Sequence, residues 1–448
     1  MRIPPSLLEA ARRRDARLQR PAGVPAAVQR DPACSATALV LTLRDGTAYE
    51  SAERWGAAHL LERVAFRGTA RFPSRYEVLR HLERFGGRVL AHPTRETASF
   101  QAKVPCGREA EALELLGELL LRPMLRPEAV GSERRAAAEE RLRELEDPGR
   151  FVSALLEGAL LLPEASARPP AADAEALSAL DADALREWAR GGWQRGALVA
   201  AVCGNPPADM ESRLNEALSA FPEGPGRERS AVVSKPAWAG ARALWCPSRG
   251  EGPVRLELGW RFPVRGERER ACWEALDAML GTGRTSLLNL ILRERESVAS
   301  SCATRLLLRG KDALFTVALA LGERELPRVL PLIDGLLVEL ASRRVDAALF
   351  DEAVARRATD LLFTTEDPLE TARSHAASLL ERGVPAAFGE RFAELERASF
   401  EGAAALVAEH LRPGARTVAL MGGAKPPAAA FPGLVEVPRS PEGSVRWR

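Results

Sequence analysis

The sequence predicts an α+β protein of two similar halves, each a mixed sheet with helices packed against it. Three observations predict it. At 448 residues the chain is longer than one hydrophobic core usually organises. Its composition, 46% hydrophobic and 28% charged, is that of a packed protein and excludes a disordered, collagenous or disulfide-scaffold chain. An order of paired strands and helices that is read before Pro222 is read again after Gly240.

The elements follow from local pattern. Ala36–Leu43 alternates as a strand and closes on the turn pair Asp45-Gly46, after which Arg54–Phe66 carries apolar residues at helical spacing. Ser74-Arg75-Tyr76-Glu77 has the form of a capping box, and the helix it opens stops at Gly86-Gly87. Val89–Ala91 and Ala98–Val104 read as a strand pair around a polar turn holding Pro93. Glu109–Leu121 and Glu128–Leu145 read as helices, the second broken by Asp147-Pro148-Gly149. Helical spacing continues to about Arg190, Ala197–Cys203 is a buried strand and Pro207–Ala220 a helix.

From Pro222 to about Gly240 the chain is rich in Pro, Gly, Ser and charge, with one short apolar pair, Val232-Val233. The predicted domains are therefore residues 1–225 and 241–448, joined by a linker at 226–240. The second half repeats the order. Strands are expected at Ala243–Cys246 and Val254–Trp260, helices at Glu267–Leu280 and Ser286–Arg295, and strands near Ala299–Leu308 and Ala313–Leu321. Helices then run from about Leu326 to His410, before a closing strand at Thr417–Met421.

Charge narrows the partners. Lys and Arg number 63 against 61 Asp and Glu, so no net field draws nucleic acid or an anionic membrane. The scarcity of Lys among the basic residues is the bias of a GC-rich genome and carries no functional weight. Six cysteines without C-x-x-C spacing are expected as reduced, buried thiols. The charged N-terminus forms no signal-peptide apolar region and no run of about 18 apolar residues appears, so a soluble, cytoplasmic chain is expected.

The helix Arg54–Phe66 contains His59, Glu62 and Arg63, written H-L-L-E-R. Offsets of three and four place these side chains on one helical face. An imidazole and a carboxylate one turn apart can hold a metal and a general base together, as in H-x-x-E-H. Taken alone, the same residues more readily describe a surface helix with a stray His and an ion pair, because such short patterns recur by chance. Gly281 and Gly283 lack the G-K-[ST] ending of a phosphate loop and read as a turn before a helix.

The surrounding segment decides between them. GAAHLLERVAFRGTARFPSRYEVLRHLERFGGRVLAHPTRETASFQAKV resembles the pitrilysin/insulysin family of zinc peptidases, in particular its mitochondrial-processing-peptidase-like branch. That family carries G-x-A-H-x-x-E-H-x-x-F-x-G-T, then a helix, a Gly-Gly and a strand pair. Gly56, Ala58, His59, Glu62, Phe66, Gly68, Thr69, Gly86, Gly87, Ala91, Arg95 and Glu96 stand at its positions. Downstream, Glu133 and Glu140 match the family's E-(x)6-E helix, which ends here in Glu146-Asp147-Pro148. Gly204 and Leu280-Gly281-Thr282-Gly283 extend the likeness over nearly the whole chain.

The resemblance implies two homologous α/β sandwich domains with antiparallel-rich sheets, and two such chains clamped around a peptide chamber. It implies zinc ligands at His59 and Glu140 and a general base at Glu62. The third ligand position is held by Arg63, whose guanidinium stays protonated and offers no lone pair. A cation about 4 Å from a dication is repelled by roughly 8 kcal/mol at an effective dielectric of 20. Arg63 is expected to pair instead with Glu140 or Glu62. No other histidine easily replaces the missing ligand, since His81 falls on the next helix, His92 near the strand turn, and His375 and His410 in the second half.

The family's substrate-holding Arg and Tyr fall on Leu287 and Ser300, with Arg284 a displaced substitute, and its Asn-Ala pair falls on Leu90-Ala91. The expected chain is thus a catalytically degenerate subunit. It would take no cofactor itself and would pair with a homologous zinc-bearing subunit, its site remnants being His59, Glu140 and the vestigial base Glu62. Peptide or an unfolded segment is the implied substrate. Two alternatives stand beside it: an active zinc peptidase with an atypical ligand set, and a structural or assembly subunit like the core proteins of respiratory complexes that share this fold.

Overall fold

The computed structural model describes residues 2–162, 164–230, 242–248 and 252–437. Val232-Val233 and most of the predicted linker lie outside them.

The first half begins with α1 (Pro5–Arg12), β1 (Arg17–Gln19), β2 (Ala26–Val28) and β3 (Ala36–Leu43). It continues with α2 (Ala57–Ala65), α3 (Arg75–Glu83), β4 (Arg88–Pro93) and β5 (Ala98–Pro105). Helices α4 (Glu109–Leu121), α5 (Pro127–Glu146), α6 (Pro148–Leu161), α7 (Ala174–Ser178) and α8 (Ala182–Gly192) follow. It closes with β6 (Leu198–Gly204) and α9 (Met210–Ser219). The second half has β7 (Ala243–Pro247), β8 (Val254–Pro263), α10 (Gly266–Leu280), α11 (Leu287–Asn289), β9 (Ala299–Arg309) and β10 (Asp312–Leu321). Then come α12 (Leu326–Ala341), α13 (Ala347–Thr364), α14 (Pro368–Arg382), α15 (Phe388–Arg397), α16 (Phe400–His410), β11 (Thr417–Gly422) and β12 (Leu434–Glu436).

The two sheets share one topology over five of their six strands. The first runs β1-β2-β6-β3-β5-β4 and the second β12-β7-β11-β8-β10-β9. In each, a parallel pair (β2 with β6, β7 with β11) is followed by antiparallel pairs only, while the outermost strands differ: β1 joins β2 antiparallel and β12 joins β7 parallel. The sheets are therefore mixed and antiparallel-rich. One face of the first sheet packs against the helices of its own half, through residues such as Leu39, Leu41, Phe100 and Leu61.

The opposite faces are covered by exchange. Helix α14, from the second half, lies on β3 and β6, where Leu369, Ala372, Ala376 and Leu379 meet Ala38, Val40, Val199 and Ala201. Helix α6, from the first half, lies on β8 and β11 in return. Both helices start at the same tripeptide, Glu146-Asp147-Pro148 and Glu366-Asp367-Pro368. The Asp of each caps its helix, accepting the N–H of Arg150 at 2.9 Å and of Leu369 at 2.8 Å, while Pro takes the first helical position, where a missing N–H costs nothing. Helix α1 also crosses: Ile3 and Ala11 join the second core, and the Ile3 N–H donates to Glu396 at 2.8 Å.

Local departures have local causes. Helical spacing to Arg190 is interrupted between α6 and α7, where Pro169 and Pro170 lie. The expected helix Ser286–Arg295 is only three α-helical residues followed by a π-helical turn at Leu290–Arg295, closed by the Glu296 N–H on the Ile291 carbonyl at 2.9 Å. Strands β1, β2 and β12, three residues each, are too short to register as alternation. Four cysteines are buried as expected, but Cys34 is half-buried and Cys106 exposed, because they flank the outer ends of β3 and β5.

Because each half carries the other's cover, the halves unfold together. Tryptophan fluorescence and far-ultraviolet circular dichroism followed through a urea titration should give one coincident transition. Overpacking the α14 contact by Ala372→Leu should lower stability by about 1–3 kcal/mol without splitting that transition.

Candidate functional site

The site is built on α2. Ala57, Leu60, Leu61 and Val64 recur at helical spacing and bury one face, which packs against β4, β5, α5 and α8. The N-terminus of α2 is fixed by a buried carboxylate. Glu50 accepts the N–H groups of Gly56 and Ala58, each at 2.9 Å, so a negative group meets the positive end of the helix. Gly56 has φ +90°, and a Cβ there would lie 2.6 Å from Ala172 Cβ, so glycine is required at this entry. Arg168 holds the same loop, donating to the Ser51 carbonyl at 2.8 Å and the Glu50 carbonyl at 2.5 Å.

His59, Glu62 and Arg63 share the other face of α2. Helix α5 supplies Glu133 and Glu140, two turns apart, opposite Arg63. Arg63 Nε donates to Glu133 at 2.8 Å and its Nη1 to Glu140 at 2.5 Å. Glu133, whose side chain is 4% exposed, also accepts Arg67 Nε at 2.5 Å. Two guanidinium groups thus neutralise two carboxylates across the α2–α5 seam. Glu62 is buried and takes no part: its Oε2 has no hydrogen-bond partner among the described residues. Burial pushes its carboxyl well above the usual carboxylate range, with Arg63 opposing. Burial and then the Arg63 cation lower the His59 imidazole to about 4, so it is neutral at pH 7.

A catalytic zinc takes three protein ligands and leaves one position open. The donors placed here are one imidazole and one carboxylate, and that carboxylate is engaged by a guanidinium. Among the described residues no group of three His, Cys, Asp or Glu side chains is arranged to hold a metal ion. This donor set does not fit a catalytic zinc.

The other expected residues lie elsewhere. Leu287 opens α11 and is buried in the second core, and Ser300, on β9, donates to the Ala320 carbonyl at 3.1 Å. Arg284 is exposed in the turn before α11, a turn filled by its own side chains: Ser286 Oγ and Asn289 Nδ2 both donate to the Gly283 carbonyl, at 2.8 and 3.2 Å. Leu90 and Ala91 sit half-buried on the edge strand β4. His81 is half-buried and tilted on Phe72, and His92 is exposed on β4. His375 is buried, with Nε2 on the Arg14 carbonyl at 2.9 Å, and His410 stacks on Phe262.

Sequence reasoning missed Arg67, Glu50 and Asp45. Arg67 had a signal, since it stands one helical turn after Arg63. Asp45 is fully buried and accepts the indole N–H groups of Trp193 at 2.8 Å and Trp188 at 3.2 Å. Burial raises Asp45 to about 6 and Glu50 to about 7, against their hydrogen bonds and nearby Arg cations.

The first half matches the family described as Insulinase (Peptidase family M16) over residues 26–159, and residues 179–357 match Peptidase M16 inactive domain. The chain belongs to peptidase family M16. An uncharacterized zinc protease of Streptomyces coelicolor is 27% identical over 258 residues, 55% of this chain and 54% of that protein. The human mitochondrial-processing peptidase subunit alpha is 33% identical over 100 residues, 22% of this chain and 19% of that one. The matched parts are thus about half and a fifth of these relatives' own lengths. A solved protease from Helicobacter pylori superposes with a TM-score of 0.81 at 16% identity, covering 91% of this chain and 99% of that chain, and so shares the M16 fold.

Two outcomes are expected. Arg63→Met leaves buried Glu133 with Arg67 alone and Glu140 unpaired, and should cost about 2 kcal/mol in urea unfolding, less than a fully buried pair because Arg63 is partly exposed. For Asp45, a raised native pKa means the folded state holds its proton between about pH 4 and 6 while the unfolded chain has lost it, so its contribution is lost as pH rises through that window. Asp45→Asn removes this loss. The urea midpoint of the variant should therefore move upward relative to wild type when pH is raised from about 4.5 to about 7.

Proposed function

We propose that this chain is a catalytically degenerate subunit of an M16 peptidase, pairing with a homologous zinc-bearing chain to form the wall of a peptide-cleaving chamber. One observation carries the reading: Arg63, a permanent cation, stands at the third ligand position and is bonded to both Glu133 and Glu140. On this reading His59 and Glu140 are remnants of a ligand set and Glu62 a remnant of the general base, and zinc belongs to the partner.

The second half supports it by comparison. There α10 and α13 are joined by Glu274, buried and paired with Arg357 at 3.3 Å and Arg391 at 2.6 Å, which hold its carboxyl down at about 2. Arg63 and Glu133 join α2 and α5 in the same manner with the charges exchanged. A helix pair that once held metal is now held as its counterpart is, by an ion cluster. The free edge of β4, beside α2, offers backbone groups to an extended peptide or unfolded segment. That one relative is by name a subunit of a processing peptidase supports pairing. The reading places the pair in the cytosol; no helix among the described residues is long and apolar enough to cross a membrane.

The name of the Streptomyces relative favours a second reading, an active zinc peptidase with an atypical ligand set. Metal analysis separates the two. The degenerate subunit is expected to purify without zinc and to gain about one zinc per chain on Arg63→His, which restores a third ligand. Near-stoichiometric zinc in the wild-type chain, lost on His59→Ala, would establish the enzyme instead. The subunit reading also expects a complex on sizing, and raised peptide cleavage, when the chain is mixed with a relative bearing an intact H-x-x-E-H. No complex and no gain in cleavage would defeat it.

A further inference from the structure

The two halves meet at an open cleft of about 1350 Å3 whose lining excludes His59, Glu62, Arg63 and Glu140. Its walls come from equivalent parts of the two halves: the β4–β5 and β9–β10 turns, and the exchanged helices α6 and α14. Nine Arg and Lys side chains line it against six Asp and Glu, an excess of three cations.

The carboxylates are largely consumed by ion pairs within the halves and between them. Glu157 pairs with Arg95 at 3.0 Å and with Arg305, and Glu96 pairs with Arg309 at 2.5 Å and with Arg229. Glu164 and Asp312 both take Arg261. Three cations have no carboxylate partner among the described residues: Arg44, which donates only to the Leu380 carbonyl at 2.9 Å, and the exposed Arg150 and Lys311. Deeper in the cleft, Nε of Arg141, a residue 4% exposed, and Nη1 of Arg309 are buried with no acceptor. A buried donor without an acceptor is costly, and a ligand that brings an acceptor removes that cost. Between the cations the wall is apolar, with Pro169, Leu307 and Leu380.

We infer that this cleft binds an acidic peptide segment, its carboxylates meeting Arg150, Lys311 and Arg309 and its apolar side chains lying on Pro169, Leu307 and Leu380. The unpaired cations come from three separate elements, and the volume exceeds that of a lone anion, so an extended chain fits better than a small one. The inference rests on the reading of this chain as a peptide-handling subunit, but it is tested on the chain alone.

The experiment is fluorescence anisotropy with a labelled peptide of alternating Glu and Leu and its counterpart of alternating Lys and Leu. The Glu peptide should bind, more weakly as salt rises, and the Lys peptide should not. The double variant Arg150→Glu with Lys311→Glu, at exposed positions that leave the core intact, should weaken binding at least about tenfold. Equal binding of both peptides, no binding of either, or an unchanged affinity in the double variant overturns the inference. Displacement by millimolar inorganic phosphate also overturns it, by making this a small-anion site. Such a failure beside an intact complex with a zinc-bearing chain would count against the cleft alone, and not against the subunit reading.

Discussion

The seam between α2 and α5 is where the molecule's chemistry and its stability coincide. The polar face of α2 lies against α5, a helix that buries Glu133 and Arg141 beside only Val130, Ala137 and Leu145. Carboxylates in that position must be neutralised, because an unpaired buried charge is far more costly than the pair it came from. Arg63, with Arg67 behind it, meets that requirement from α2. A metal ion meets the same requirement in a peptidase of this family. The helices can therefore keep their family arrangement with a guanidinium between them.

That substitution has consequences for its neighbours. Burial, and then the Arg63 cation, lower the His59 imidazole to about 4, so that residue is a neutral side chain at pH 7. Glu62 makes no ion pair among the described residues, and burial raises its carboxyl while the Arg63 cation opposes. His59 and Glu62 thus sit in protonation states set mainly by burial. The exposed parts of the β4 edge and the cleft between the halves keep their own chemistry, independent of this seam.

Much of this was legible in the sequence. The Ser74 capping box appears as read, with Ser74 Oγ accepting the Glu77 N–H at 3.2 Å, and the repeated strand order emerges as two sheets alike over five of their six strands. The pairing of Arg63 with Glu140 was readable through the family resemblance, which set Glu140 opposite this helix and offered Glu62 as the other candidate; Arg63 meets Glu133 and Glu140 and leaves Glu62 unpaired among the described residues. The partners that were not legible are non-local. Glu50 reaches α2 from a loop, Asp45 collects two indoles from α8 and the turn after it, and Glu133 is shared by two arginines. Nothing in local periodicity announces such contacts. The repeat of Glu-Asp-Pro at 146–148 and 366–368 was a signal left unread.

The trade of α6 for α14 says something about ancestry. A single half, made as its own chain, would have an apolar sheet face and a helix projecting away from it, and two copies would close by lending each other that helix. This is domain swapping in a two-fold dimer. Here the exchange is made between two halves of one polypeptide, and the seams α2–α5 and α10–α13 carry opposite signs at the same junction.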